Sequence, residues 1–122
     1  MHVHLVFVTR YRRDVFSKAI LDDMRDIFAN VCRDFESELV EFDGDDDHVH
    51  LLVNYPPKVS VSSLVNSFKG VSSRMIRQKN YPSIRKKLWR GALWSPSYFA
   101  GSCGGAPIEM VRQYIEQQKT PH

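Results

Sequence analysis

Cysteine is scarce in this 122-residue chain: only Cys32 and Cys103 occur, and neither belongs to a C-x-x-C pair. That excludes a disulfide framework and a thiolate zinc knuckle, and both thiols are expected to stay reduced. Long apolar runs are missing too. No stretch approaches the roughly 18 to 20 uncharged apolar residues that cross a bilayer, so no membrane partner is expected. The opening segment MHVHLVFVTRYRR carries its basic cluster after its apolar run, the reverse of a secretory signal, and no small-residue cleavage site follows. A cytoplasmic location is expected. Repeats and low-complexity tracts are lacking as well, and the length suits a single domain over residues 1–122 with one core.

The most informative absence is of acid. Residues 48–108 hold nine Lys and Arg and no Asp or Glu, whereas residues 1–47 hold six basic residues against twelve acidic ones. The net charge of +3 conceals this division. A long stretch of one sign inside a folded domain is the footprint of a surface that meets phosphates, although a solvated lysine-rich helix face would give the same count.

Hydrophobic spacing supplies the elements. HVHLVFVT, residues 2–9, is β-branched and apolar enough for a buried strand. From Ser17, a plausible N-cap, Ile20, Leu21, Met24, Ile27, Phe28, Val31 and Phe35 recur at helical spacing to about residue 36. Residues 38–43 and 48–55 read as two strands around the polar turn Gly44 to Asp47, with the aspartates toward solvent. Residues 60–79 place Val61, Leu64, Val65, Phe68, Val71, Met75 and Ile76 on one helical face, ended by Tyr81-Pro82. Residues 93–102 are aromatic and strand-like, and Gly104-Gly105-Ala106-Pro107 opens a last short helix over 108–119. The order predicts an α+β fold: a ferredoxin-like βαββαβ sandwich with an antiparallel sheet, in which the strand bearing His48 and His50 is central, plus an extra C-terminal helix.

In DDDHVHLLVNYPP, the period of two sends His48 and His50 to one face of their strand and Val49, Leu51 and Val53 to the other. Such a pair is ready to chelate a divalent cation, but two nitrogens alone make a weak site. A half-exposed pair with no ligand stays open, the more so because His2-Val3-His4 repeats the spacing at a chain end without comparable surroundings. The acidic turn is not a calcium loop: counted from Asp43, glycine falls second and the twelfth residue is Asn54. Nor is the pair the i, i+4 histidine couple of a zinc hydrolase helix. In VRQYIEQQ, Tyr114 and Gln118 stand four apart and share a helical face. An amide oxygen suits Mg²⁺ or Mn²⁺, and a phenol beside a cation-bound phosphate is a usable nucleophile. Tyr114 as a packed residue of an amphipathic helix is the alternative.

Taken in order, EFDGDDDHVHLLVNYPP, SLVNSFKGVSSR, LWSPSYFAGSCGG and VRQYIEQQ resemble the small insertion-sequence transposases of the 200/605 group, single-tyrosine members of the His-hydrophobic-His nucleases. The resemblance covers residues 2 to 118. It implies a metal-binding pair in His48 and His50, a third ligand in Gln118, and a nucleophile in Tyr114 that forms a 5′-phosphotyrosine link to single-stranded DNA. It also implies a Mg²⁺ or Mn²⁺ cofactor, hairpin DNA ends as partner, and a homodimer in which the tyrosine of one subunit completes the histidine pair of the other. The chain then divides into a core over 1–103, a Gly-rich tether over 104–107, and a catalytic helix over 108–122. Candidate DNA contacts are Arg10, Arg12, Lys69, Arg74, Arg77, Arg85, Lys86, Lys87 and Arg90, with Trp89 and Tyr81 able to stack on bases. SCGG stands where relatives more often have a Thr-Val-Gly type sequence, and the chain starts some ten residues nearer its first strand than they do. Two other readings are a descendant that nicks hairpins without mobilising an element, and a non-catalytic module that binds single-stranded nucleic acid.

Overall fold

Alternation builds the centre of the molecule. In the first strand, β1 (His2–Val8), Val3, Leu5 and Phe7 are buried on one face, and in a second strand, His48–Asn54, Val49, Leu51 and Val53 match them across the ladder. A computed structural model describes residues 1–10, 16–45, 47–79, 81 and 93–102. In chain order its elements are β1, α1 (Lys18–Asp34), β2 (Glu38–Gly44), β3 (His48–Asn54), α2 (Val61–Gln78) and β4 (Phe99–Ser102). The strands form one sheet in the order β2-β3-β1-β4, every neighbouring pair antiparallel. That is the predicted ferredoxin-like arrangement, with β3 inside the sheet.

Both helices begin as the sequence indicates. The Ser17 hydroxyl accepts the amide of Ile20 at 3.3 Å and that of Ser60 accepts the amide of Ser63 at 3.1 Å, each satisfying a first-turn donor that would otherwise lack a partner. The apolar faces of α1 (Ile20, Met24, Ile27, Phe28, Val31) and α2 (Leu64, Val65, Phe68, Ile76) close over the Val-Leu-Phe face of the sheet. Phe7, Phe28 and Phe68 meet there with ring centres 5.1 to 6.3 Å apart, and each buried aromatic contributes about 1.5–3 kcal/mol by leaving water. Met75, expected on the buried face of α2, is 36% exposed; Ser72, one turn earlier, is fully buried and accepts the indole N–H of Trp94 at 2.9 Å.

Two departures from regular pairing bear on function. The register of β2 against β3 shifts between Leu39 and Glu41, so Val40 is an extra, exposed residue. Past this bulge Phe42 pairs with Leu51 and packs against Phe28, while Glu41 and Asp43 lie opposite Leu52 and His50 on the other face. The segment expected as a strand over 93–102 pairs with β1 only at Phe99–Ser102, with one isolated bridge from Trp94 to Thr9. Between them the Ser-Pro-Ser run 95–97 leaves the ladder, and Lys69 donates to the carbonyls of Ser95 at 2.7 Å and Ser97 at 3.0 Å. The predicted tether 104–107 and helix 108–122 lie outside the described residues.

Candidate metal and nucleic-acid site

The face of the sheet turned away from α1 and α2 carries the even positions of β1 and β3: His4, Val6 and Val8 beside His48, His50 and Leu52. Val6 and Val8 are 0% and 1% exposed although they stand outside the helix-covered core, so the histidines border a covered apolar patch. His48 and His50 are half-buried and on one side, as their spacing requires.

Each imidazole has a partner. Nδ1 of His48 lies 3.0 Å from Oδ1 of Asp47. The carboxylate accepts the Nδ1–H, which leaves the distal Nε2 lone pair of His48 directed away from the backbone. This carboxylate–imidazole pairing is the usual support of a metal-ligating histidine. Asp47 is only 8% exposed, and its carbonyl accepts the amide of Thr9 at 2.9 Å. The expectation that the turn aspartates all face solvent therefore fails at Asp47: the first residue before β3 is drawn inward by its bonds to Thr9 and His48.

His50 meets His4, with Nε2 of His50 3.1 Å from Nδ1 of His4. Burial first, then His4, lowers the His50 pKa below the ordinary 6.5, against upward pulls from Glu41 and Asp43. His50 is thus a neutral imidazole at neutral pH, the form a cation needs. The surroundings that His4 lacks in the sequence are supplied by the pairing of β1 with β3. Among the described residues no group of three or more His, Cys, Asp or Glu side chains is gathered closely enough to hold a metal ion. The donor chemistry of two imidazoles, one braced by a carboxylate, fits a divalent cation that takes its remaining ligands elsewhere. Tyr114 and Gln118 lie outside the described residues.

The basic candidates divide in the same way. Arg12, Arg85, Lys86, Lys87, Arg90 and Trp89 fall outside the described residues, whereas Arg10, Lys69, Arg74 and Arg77 fall within them. Arg10 and Lys69 line a cavity of about 410 Å³ with Asn66, Ser73, Trp94 and Tyr98, between α2 and the 93–98 segment. Lys69 sits over the rings of Phe7 and Tyr98 at 5.4 and 5.5 Å, and burial lowers its pKa from 10.5 to about 8. Its ammonium clamps the 95–97 carbonyls, a task that its place in a basic run does not reveal. Because Phe7 belongs to the helix side, this cavity and the histidine pair occupy opposite faces of the sheet. Tyr81, considered for stacking, donates its hydroxyl to Asp23 of α1.

A family model described as "Transposase IS200 like" matches residues 1–118. The ISDra2 transposase TnpA of Deinococcus radiodurans is 30% identical over 118 residues, 97% of this chain and 84% of the relative. The transposase for insertion sequence element IS200 of Salmonella typhimurium is 29% identical over 115 residues, 94% of this chain and 74% of the relative. Among solved structures, one assigned as a transposase of Deinococcus radiodurans R1 superposes with a TM-score of 0.88 at 30% identity, over 99% of this chain and 92% of that one. A REP-associated tyrosine transposase bound to a REP hairpin superposes with a TM-score of 0.63 at 13% identity, over 98% and 69%. The last shares the fold.

Proposed function

Because this chain belongs to the IS200-like transposase family, whose activity is DNA transposition, we propose that it cleaves and rejoins single-stranded DNA at insertion-sequence ends through a 5′-phosphotyrosine intermediate. The observation that carries this reading is the same-face pair His48 and His50, with the Asp47 carboxylate on Nδ1 of His48 leaving its distal nitrogen for a cation.

In the proposed reaction Tyr114 is the nucleophile. Its phenolate oxygen attacks the scissile phosphorus, the bond from phosphorus to the preceding 3′ oxygen breaks, and that oxygen leaves as a 3′-OH carrying the proton the phenol gave up. The phosphotyrosine ester keeps the phosphodiester energy, so a 3′-OH from another end reverses the step and joins new partners. A divalent cation, Mg²⁺ or Mn²⁺, supplies polarisation of the phosphate and screens its charge in the transition state. The chain's own residues orient that chemistry: His48, His50 and Gln118 serve as ligands, and Asp47 fixes the His48 ring.

A homodimer, in which the tyrosine helix of one subunit reaches the histidines of the other, belongs to the same reading. So do a cytoplasmic location and hairpin-ended DNA as partner. No helix among the described residues is long and apolar enough to cross a membrane, and the fold relative carrying a hairpin makes such DNA the first substrate to try. Arg10, Arg74 and Arg77, together with the basic residues from 85 to 90, are the proposed phosphate contacts, with Trp89 as a stacking residue.

The test is incubation of the protein with single-stranded hairpin DNA and Mg²⁺ or Mn²⁺, followed by a denaturing gel. A covalent adduct that disappears in Tyr114→Phe and loses its metal dependence in His50→Ala supports the reading. An adduct that persists in Tyr114→Phe removes the nucleophile. A second reading, a binding module without chemistry, is favoured by the aromatic and basic cavity at Arg10, Trp94 and Tyr98; tight binding with no adduct under any cation selects it. A domesticated hairpin nickase would form the adduct but never join a second end.

A further inference from the structure

The pairing of His4 with His50 places an imidazole where the proposed cation should sit. His4 is opposite Leu52 and His50 opposite Val6, so the two rings meet diagonally across the β1–β3 ladder, within reach of long flat side chains. Their planes are 11° apart and their centres 5.3 Å apart, with the facing nitrogens at 3.1 Å. The difference leaves about 1.1 Å for each ring, its own centre-to-nitrogen reach, so the rings meet edge to edge in a common plane rather than face on face. That is a directed N–H···N hydrogen bond.

A ring nitrogen has one in-plane position, filled by a proton or by a lone pair, and that position serves one partner at a time. Nε2 of His50 therefore faces either His4 or a cation. The distal nitrogen is the one a shared cation requires. His48 has its Nδ1 committed to Asp47 and offers only Nε2, and two rings standing side by side on one strand face reach a common ion with their equally distant ends.

We propose that His4 is an internal occupant of the His50 metal-binding nitrogen, so that uptake of a divalent cation and release of the His4–His50 hydrogen bond are one event. His4 is then a positioning residue that sets cation affinity without being a ligand. The proposal rests on the reading that His48 and His50 hold a cation. It gives a function to a side chain that neither the motif spacing nor the proposed chemistry uses.

The test is Mn²⁺ titration of the full chain without DNA, followed by the loss of the free-ion electron paramagnetic resonance signal, for wild type, His4→Ala and His4→Phe. His4→Phe keeps a flat ring on β1 but has no nitrogen, so it guards against a folding defect in the alanine variant. Both variants should bind Mn²⁺ about five-fold more tightly, the weight of one ordinary hydrogen bond. In wild type, addition of diamagnetic Zn²⁺ should shift the ¹⁵N resonances of His50 Nε2 and His4 Nδ1 together. Equal or weaker Mn²⁺ binding in both variants, or a His4 resonance unmoved by Zn²⁺, overturns the role of His4. Absence of Mn²⁺ binding in wild type that persists when hairpin DNA is added overturns the underlying site itself, and the role of His4 with it.

Discussion

The Asp47 carboxylate lies 3.0 Å from Nδ1 of His48 while its own carbonyl holds the amide of Thr9 at 2.9 Å. One residue thus ties the start of β3 to the end of β1 and sets the tautomer of the first histidine of the pair.

Replacing Asp47 by Ala removes that brace, and the loss of such a support typically lowers metal affinity or activity 10- to 100-fold. Asp47→Ala should weaken Mn²⁺ binding within that range and reduce adduct formation at limiting cation, with partial rescue at high Mn²⁺. Isothermal titration calorimetry checks the first effect and the denaturing gel the second. Unchanged affinity would show that His48 needs no orientation.

His50 has a folded pKa below 6.5, with burial as the main cause. As pH falls through 6.5 the unfolded chain takes a proton on this residue before the folded chain does. The native state therefore loses this contribution below 6.5 and holds it fully above. A ¹H–¹⁵N titration of the metal-free protein should place the His50 midpoint under 6.5. Asp43→Asn should lower it further, because Asp43 pulls the value upward.

For Lys69 the sign is the same and the window lies at higher pH. Burial lowers its folded pKa to about 8 against 10.5, so between these values the unfolded chain is protonated while the folded chain is not. The native state gains from this residue as pH rises through that window. Reductive methylation with ¹³C label should report a lysine titrating near pH 8, and Lys69→Met should abolish that resonance and loosen the 95–97 segment in hydrogen exchange.

Deleting Val40 removes the extra residue of β2 and leaves Leu39, Glu41, Phe42 and Asp43 opposite Val53, Leu52, Leu51 and His50 in an unbroken ladder. Phe42 stays on the core side and Asp43 beside His50, so urea denaturation should show little change in stability and the His50 midpoint should not move. A loss of about 1.5–3 kcal/mol, the weight of one exposed aromatic ring, would mean that Phe42 has left the core.

Much of this was legible from residue order. Alternation in HVHLVFV and HVHLLVN, helical spacing after Ser17 and Ser60, and the punctuation between them yielded the four strands and two helices of the described residues, and hence the central place of His48 and His50. What escaped was set by contacts between distant segments. His4 reaches His50 across 46 positions through strand register, which no local pattern encodes. Asp47 reads as one more aspartate of a polar turn until the end of β1 arrives beside it. The 93–98 stretch is aromatic enough for a strand, but its Ser-Pro-Ser run and the grip of Lys69 take it out of the ladder. Val40 carries no turn or glycine signal, so the bulge is visible only once Leu39 and Phe42 are both seen to face the core.

That unsignalled residue absorbs one unit of length. Leu39 and Phe42 stand an odd number of positions apart yet share the oily side of the outer strand, because Val40 steps out of the ladder between them. The edge can therefore shorten by Val40 alone and keep both its lining and the acidic flank of His50, a tolerance that an unbulged strand, in which every single-residue slip swaps the two sides, does not have.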